Sequence, residues 1–428
     1  MIYSRTLVNI RLKHNLTQEA FAKDLGYPTD YIIDLESNRQ QASFEFVAAL
    51  KDKYNLHNTP ITESERAALM ESLYNWKIIM DYGDMAKAAQ LKPILEKSAR
   101  ASYSPSTINL YDLYAAGYYW VTSDMESYNK TMEALEQRSN EFSARHLYHY
   151  NRLMAARKYV ENNYHEALQA FKTAEKLDKK SEWGGVGFYY GYGKCLSDMG
   201  YAARAIDYLR KAQHLGTWSK IYDGKPNRRF DIDIDCSLAG NLSKISRVDE
   251  ALKILDRRVS IEMKRNNKKG IGLTYLGFGS VYLRAKDYDK AVDNFDMSFR
   301  YLDEYDEAFK TSLYRKALAL IESDNIQDGL LYISRGLNMQ TMGDIRRVLL
   351  EALNCSVSMD EPKSLEYLET VIMPKLLKYG QYMEVVKYFK LLSEFYSEKS
   401  NYVKALEYSN SALKIHEMLY EERVERGL

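Results

Sequence analysis

The stretch GGVGFYYGYGKC, from Gly184 to Cys195, has the glycine density of a phosphate-binding loop. Its spacing is wrong for one. A nucleotide loop of that type needs glycine where Phe188 stands and a magnesium-holding hydroxyl where Cys195 stands. Gly187, Gly191 and Gly193 instead suit close packing between helices. His146 and His149 have no carboxylate or cysteine at ligand spacing, and no HExxH occurs. Cys195, Cys236 and Cys355 are odd in number and form no CxxC, so they read as reduced, small apolar core residues. No catalytic set, metal or cofactor is expected, and the chain reads as a binding protein rather than an enzyme.

A different chemistry is carried by NIRLKHNLTQEAFAKDLGYPTDYIIDLESNRQ. Thr17 is a candidate N-cap, and Gln18 and Glu19 open a short helix with Ala20, Phe21 and Leu25 on its apolar face. Gly26 makes the turn. Pro28 or Thr29 opens a second helix with Tyr31, Ile32 and Leu35 inward, and Glu36-Ser37-Asn38-Arg39 forms its exit. These roughly forty residues resemble the helix-turn-helix of the Cro/C1-type (XRE) regulators. The resemblance implies that Gln18, Thr29, Asp30, Ile33, Asp34 and Arg39 face DNA, with Arg11 and Lys13 near phosphates. Asp30 and Asp34 depart from the polar or basic residues of many relatives; an aspartate can accept from cytosine but repels phosphate. Residues 1–60 hold seven Lys plus Arg against seven Asp plus Glu. Weak binding by one copy, and a homodimer reading two half-sites of double-stranded DNA, are therefore expected. The alternative is a helix-turn-helix kept only for partner contacts.

The elements that carry the rest are repeats. LTYLGFGSVYLRAKDYDKAVDNFDMSFRYL, Leu273 to Leu302, looks like one tetratricopeptide (TPR) unit: Gly279 and Ala291 fall where two antiparallel helices touch, with Tyr282, Tyr288 and Phe295 packed around them. The same register places Ala167, Phe171 and Ala174; Ala205, Leu209 and Ala212; Ala251 and Leu255; Gly329, Ile333 and Gly336; a degenerate unit at Ser364, Leu368 and Val371; and Ala405, Ala412 and Ile415. The spacing, roughly 35 to 46 residues, exceeds the ideal of about 34. Residues 63–82 with 84–101, and 105–122 with 124–143, add two fainter helical pairs, after a short linker at Asn58-Thr59-Pro60 with Thr62 as N-cap. Gly216 to Asp235 reads as a long connection. The expected fold is all-α: a helix-turn-helix domain over 1–60, degenerate helical pairs over 61–145 and a TPR domain over 146–428, about nine pairs in a right-handed α-solenoid. No apolar run approaches the roughly 18 residues needed to cross a bilayer, and MIYSRTLVNIR lacks the apolar core of a secretory signal, so a cytoplasmic location without membrane contact is expected.

In such a solenoid the first helix of each pair lines the inner wall. Projecting the register puts Arg152, Tyr159, Tyr190, Lys194, Asn241, Lys244, Arg284 and Tyr314 there, and Asn151 also lies on a first helix. Aromatic, amide and cationic side chains together suit an extended peptide. An XRE-type helix-turn-helix followed by a TPR array resembles the peptide-pheromone regulators of the Rap, Rgg, NprR, PlcR and PrgX (RRNPP) group, most of all its NprR branch in length and pair number. The resemblance implies a quorum-sensing transcription regulator: a short signalling peptide bound inside 146–428, with Asn151 and Asn241 as candidate holders of its backbone, changes how the dimer binds its operator. The alternative within the same resemblance is a Rap-like adaptor or phosphatase that engages a response regulator through 63–145, for which Gln90 or Gln137 would orient a water.

Overall fold

A computed structural model of the chain describes residues 4–37, 39–54, 63–102, 104–179, 183–218 and 230–424, and the regular elements among them are all helical. The first four helices are α1 (Ser4–Lys13), α2 (Gln18–Leu25), α3 (Thr29–Glu36) and α4 (Phe44–Lys53). Next come α5 (Glu63–Asp81), α6 (Met85–Ala101), α7 (Pro105–Val121), α8 (Met125–Glu136), α9 (Ala144–Val160), α10 (Tyr164–Leu177), α11 (Val186–Asp198) and α12 (Ala202–Trp218). The remainder are α13 (Asp231–Lys244), α14 (Val248–Lys264), α15 (Lys268–Arg284), α16 (Tyr288–Phe299), α17 (Glu307–Glu322), α18 (Ile326–Asn338), α19 (Asp344–Val357), α20 (Pro362–Tyr367), α21 (Met373–Lys378), α22 (Tyr382–Glu398) and α23 (Tyr402–Val424). With α20 and α21 taken as one interrupted helix, α5 to α23 form nine consecutive pairs. The chain divides into two compact units, one of Met1–Ala155, Gln169–Gly185 and Thr217–Arg229, the other of Ala156–Leu168, Val186–Gly216 and Phe230–Leu428.

All of the hairpins but α19–α20 share one turn. The first helix ends at a residue with positive φ, among them Ser123, Asn162, Ser246, Lys286, Asp324 and Ser400. The next residue then returns its N–H to a carbonyl five positions back: Asp124 to Tyr119, Asn163 to Lys158, Arg247 to Leu242, Asp287 to Tyr282, Asn325 to Leu320 and Asn401 to Tyr396. This 6→1 bond satisfies one orphaned carbonyl of the closing helix. Asp124 and Asp287 also cap the helix that follows, accepting from the N–H of Ser127 and Lys290. Signals such as TSD, AKD and KSN are therefore turn and cap in one.

Within the second unit the small positions do what their spacing predicts. A Cβ on Gly279 would lie 2.6 Å from the Phe295 ring, and one on Gly193 would lie 2.9 Å from Leu209. Ala167, Ala205, Ala251 and Ala291 are fully buried. The degenerate unit differs in register: Leu368–Ile372 forms a π-helical turn between α20 and α21, so Leu368 and Ile372 are buried and Val371 is not. The extra residue in that turn rotates everything after it. The Gly184 to Cys195 stretch is helix α11 from Val186 onward, with Gly187 only in ordinary contact with Phe230. Helices α12 and α13 take both ends of the long connection expected from Gly216 to Asp235. Its middle, and the linker with Thr62, lie outside the described residues. Cys195 and Cys355 are buried free thiols and Cys236 is a half-buried one.

Candidate functional site

The first candidate site is the α1–α4 module, closed by its own core of Leu7, Phe21, Ala22, Leu25, Ile32, Leu35, Phe46 and Leu50. Thr17 caps α2 by accepting from Ala20 N–H, and Gly26 ends α2 at φ 75°, so α2 and α3 meet across a tight turn. On α3, Asp30 is exposed, Thr29, Ile33 and Asp34 are half-exposed, and all four lie on positions that the core leaves open. Arg39 is exposed beyond α3 and stands 3.7 Å from Asp34. Two of the residues expected at DNA have a partner within the module. Arg11 Nε and NH2 donate to the two Glu36 oxygens at 2.6 and 2.9 Å, and Gln18 Nε2 donates to Glu36 at 2.7 Å. The Arg11 side chain is 14% exposed and that of Glu36 5%. These groups tie α1, α2 and α3 together around one carboxylate and so position α3. The side chain of Lys13 lies outside the described residues.

The second candidate site is a wall of the second unit made by the ends of α9, α11, α13, α15 and α17 and the start of α22. Tyr159 donates to Asp198 Oδ2 at 2.6 Å, and Lys194 Nζ stands 3.5 Å from the other oxygen. Tyr190 stacks on Phe230 with centroids 5.1 Å apart. Lys244 Nζ donates to Ser197 O and Oγ at 2.8 and 3.1 Å, and no carboxylate bonds to it among the described residues. Burial, with the cations Arg284, Lys194 and Arg315 nearby, pushes the Lys244 ammonium down to about 8 although Asp198 opposes the shift. Arg284 makes no hydrogen bond among the described residues, and its charged form is disfavoured by burial and favoured by Glu384.

Sequence register missed some of this wall and misplaced part of it. Tyr314 is 7% exposed and belongs to the core around α17, α19 and α22, with an unpartnered hydroxyl. Arg315, one residue on and so about 100° around the helix, is the group that reaches Ser280, on α15 one turn before Arg284. Glu384, not foreseen, lies there half-buried, with Oε2 enclosed and lacking a partner. It comes from a helix distant in sequence, which no local pattern could reveal. Asn241 is 1% exposed and donates to Ser237 O, leaving Oδ1 unpartnered. Asn151 donates to Leu147 O in the same way, and Arg152 Nε is buried and unpartnered; both belong to the first unit. His149 faces the Tyr114 hydroxyl at 3.3 Å, and burial pushes its imidazole well down. Among the described residues no three His, Cys, Asp or Glu side chains converge to hold a metal, and no helix is long and apolar enough to cross a membrane.

Fold and sites define a class: a helix-turn-helix protein continued by a solenoid of helical hairpins. Residues 7–57 match the helix-turn-helix family. More particularly, the chain is 20% identical over 393 residues to the transcriptional activator NprA of Geobacillus stearothermophilus, covering 87% of this chain and 93% of that protein. The structure of NprR in complex with its cognate peptide NprX superposes with TM-score 0.67 at 16% identity, covering 81% of this chain and 99% of NprR. A Rap protein complexed with competence and sporulation factor gives 0.68 at 13%, covering 83% and 99%. The resemblance to NprR and Rap holds in fold, and the expected helix-turn-helix is matched over residues 7–57.

Proposed function

We propose that the chain is a transcription regulator that binds operator DNA through α2 and α3 and is switched by a short signalling peptide held against the wall of the second unit. The observation that carries the reading is the pairing of a helix-turn-helix whose second helix leaves Asp30, Ile33 and Asp34 accessible with a wall where Glu384 Oε2 and Asn241 Oδ1 are buried without a partner and Arg284 is exposed without a hydrogen bond among the described residues, groups that suit a polar ligand. Residues 61–145 continue the solenoid, and 146–428 carry ligand binding and dimerisation; a dimer offsets the weak electrostatics of a neutral module. The named relatives are a transcriptional activator and a peptide-bound sensor, which supports this reading over an enzymatic one. The test is binding of the purified protein to DNA flanking its own gene, at two salt concentrations, with and without synthetic peptides encoded by small neighbouring reading frames. Sequence-specific binding altered by one peptide is expected. Failure on every site recovered by genome-wide selection overturns the reading.

A second reading, an adaptor engaging a response regulator through 63–145, draws on the fold shared with Rap and on two exposed glutamines, Gln90 on α6 and Gln137 at the end of α8. Phosphate loss from such a partner that is unchanged when both are replaced removes its support.

A further inference from the structure

The wall of the second unit carries a charge imbalance that identifies its ligand more closely. Lys194 is neutralised: it stands at Asp198, with Asp233 also in its field. Lys387 pairs with Glu322 at 2.9 Å, and Arg346 pairs with Glu307. What remains is Lys244 at the end of α13, Arg284 at the end of α15 and Arg315 in the middle of α17, three cations that face Glu384 and, at Lys244, the field of Asp198, which already accepts from Tyr159 and stands at Lys194. They are close enough to act on one another. Arg284 and Arg315 each disfavour the charged form of Lys244, and Arg284 does the same to Arg315. None of the three has a hydrogen-bonded carboxylate among the described residues. Lys244 donates to Ser197 and Arg315 to Ser280, both neutral, while Arg284 donates to nothing described. Glu384 leaves one oxygen buried and unpartnered, so its approach to the arginines is incomplete.

Lys244 and Arg284 are exposed on this wall and Arg315 is half-buried, so a ligand can reach all three; once it covers them, the lower local dielectric strengthens the repulsion that water screens in the free protein, unless the ligand brings an anion. A planar guanidinium without a partner is suited to a bidentate carboxylate. Burying a neutral ligand there would leave those donors unsatisfied, which costs affinity. We infer that the peptide taken by this wall presents a carboxylate, from an acidic side chain or from its own C-terminus, to Lys244, Arg284 and Arg315. The inference rests on the peptide reading above and specifies its chemistry. Glu384 occupies part of that field in the free protein and is displaced from the arginines, or protonated, when the ligand carboxylate arrives.

The experiment is selection of a random library of short linear peptides on the full-length protein, followed by titration of the recovered peptides in three forms: native, Asp or Glu replaced by Asn or Gln, and C-terminally amidated. Each form is titrated against the wild type, Arg284→Gln and Glu384→Gln, with helicity by circular dichroism confirming that the variants fold. One of the two carboxylate replacements is expected to weaken binding at least about tenfold on the wild type and much less on Arg284→Gln, the signature of a direct pair. Loss on amidation assigns the C-terminus; loss on side-chain replacement assigns an acidic residue. Glu384→Gln is expected to tighten the native peptide. Recovered peptides indifferent to both replacements, or losing equally on Arg284→Gln, overturn the inference and leave the peptide reading standing. Recovery of no peptide overturns both.

Discussion

Glu36 illustrates how one side chain can organise a functional module without touching its target. Its two oxygens accept from Arg11 and Gln18, so the helix that would read DNA is fastened to the two that precede it. Replacing Glu36 by Ala strands a nearly buried guanidinium, and a loss of about 3 kcal/mol in the stability of the module, read by urea unfolding followed at its own tyrosines, is the expected outcome. Loss of DNA binding should accompany it even though no DNA contact has been removed. Lys244 makes a pH prediction. Its ammonium, held down to about 8 with Lys194 and Asp198 on α11, Arg284 on α15 and Arg315 on α17 around it, is charged below that pH and neutral above it. A ligand carboxylate binds the charged form, so affinity for an acidic peptide should be full near pH 6 and decline as pH rises through 8. Binding itself stabilises the proton and moves the decline upward, and Lys244→Met should flatten the profile.

At the scale of the element, the hairpin turn and the small-residue contact recur, and each can be tested singly. Lys286 sits at φ 61° with an exposed side chain, a backbone region that costs a side-chain-bearing residue about 1 kcal/mol. Lys286→Gly should leave stability unchanged or raise it slightly, while Lys286→Val, whose branched Cβ fits that region worst, should lower it by about 1–2 kcal/mol in thermal unfolding. Gly279 is the opposite case. Alanine there forces a methyl group into the Phe295 ring of the paired helix, and a loss of about 1–3 kcal/mol is expected. Glycine at 279 reflects helix approach, whereas the demand at 286 is for a left-handed turn.

For the whole molecule, the formal net charge of +1 and the balanced first sixty residues bear on how DNA is held. With Arg11 committed to Glu36, few cations remain to displace counterions, so the salt dependence of binding per protomer should be shallow. Asp30→Asn with Asp34→Asn removes two negative charges from the reading helix and releases Arg39 from its partner. Non-specific DNA affinity at low salt should rise about three- to tenfold, while discrimination between operator and random sequence should fall. Unchanged affinity in a filter-binding or anisotropy titration would place both aspartates away from the duplex.

Much of this architecture was legible in the chain because it depends on contacts close in sequence. Helix periodicity, the Thr17 cap and Gly26 turn of the helix-turn-helix, and small residues at the crossing of paired helices are local demands. They located the helix-turn-helix and the nine pairs without reference to anything distant. The register faltered where a π-helical turn inserted a residue, after Leu368, where a step of one residue separated buried Tyr314 from Arg315, and at Asn241, which is buried. Tertiary structure alone decided which polar residues were already satisfied. Arg11 and Gln18 looked free until Glu36, 25 and 18 residues away, accepted their hydrogen bonds. The cations of the wall became a set only when α13, α15 and α17 were brought side by side. A charge's availability depends on what lies within a few ångströms in space, and spacing along the chain does not encode that distance.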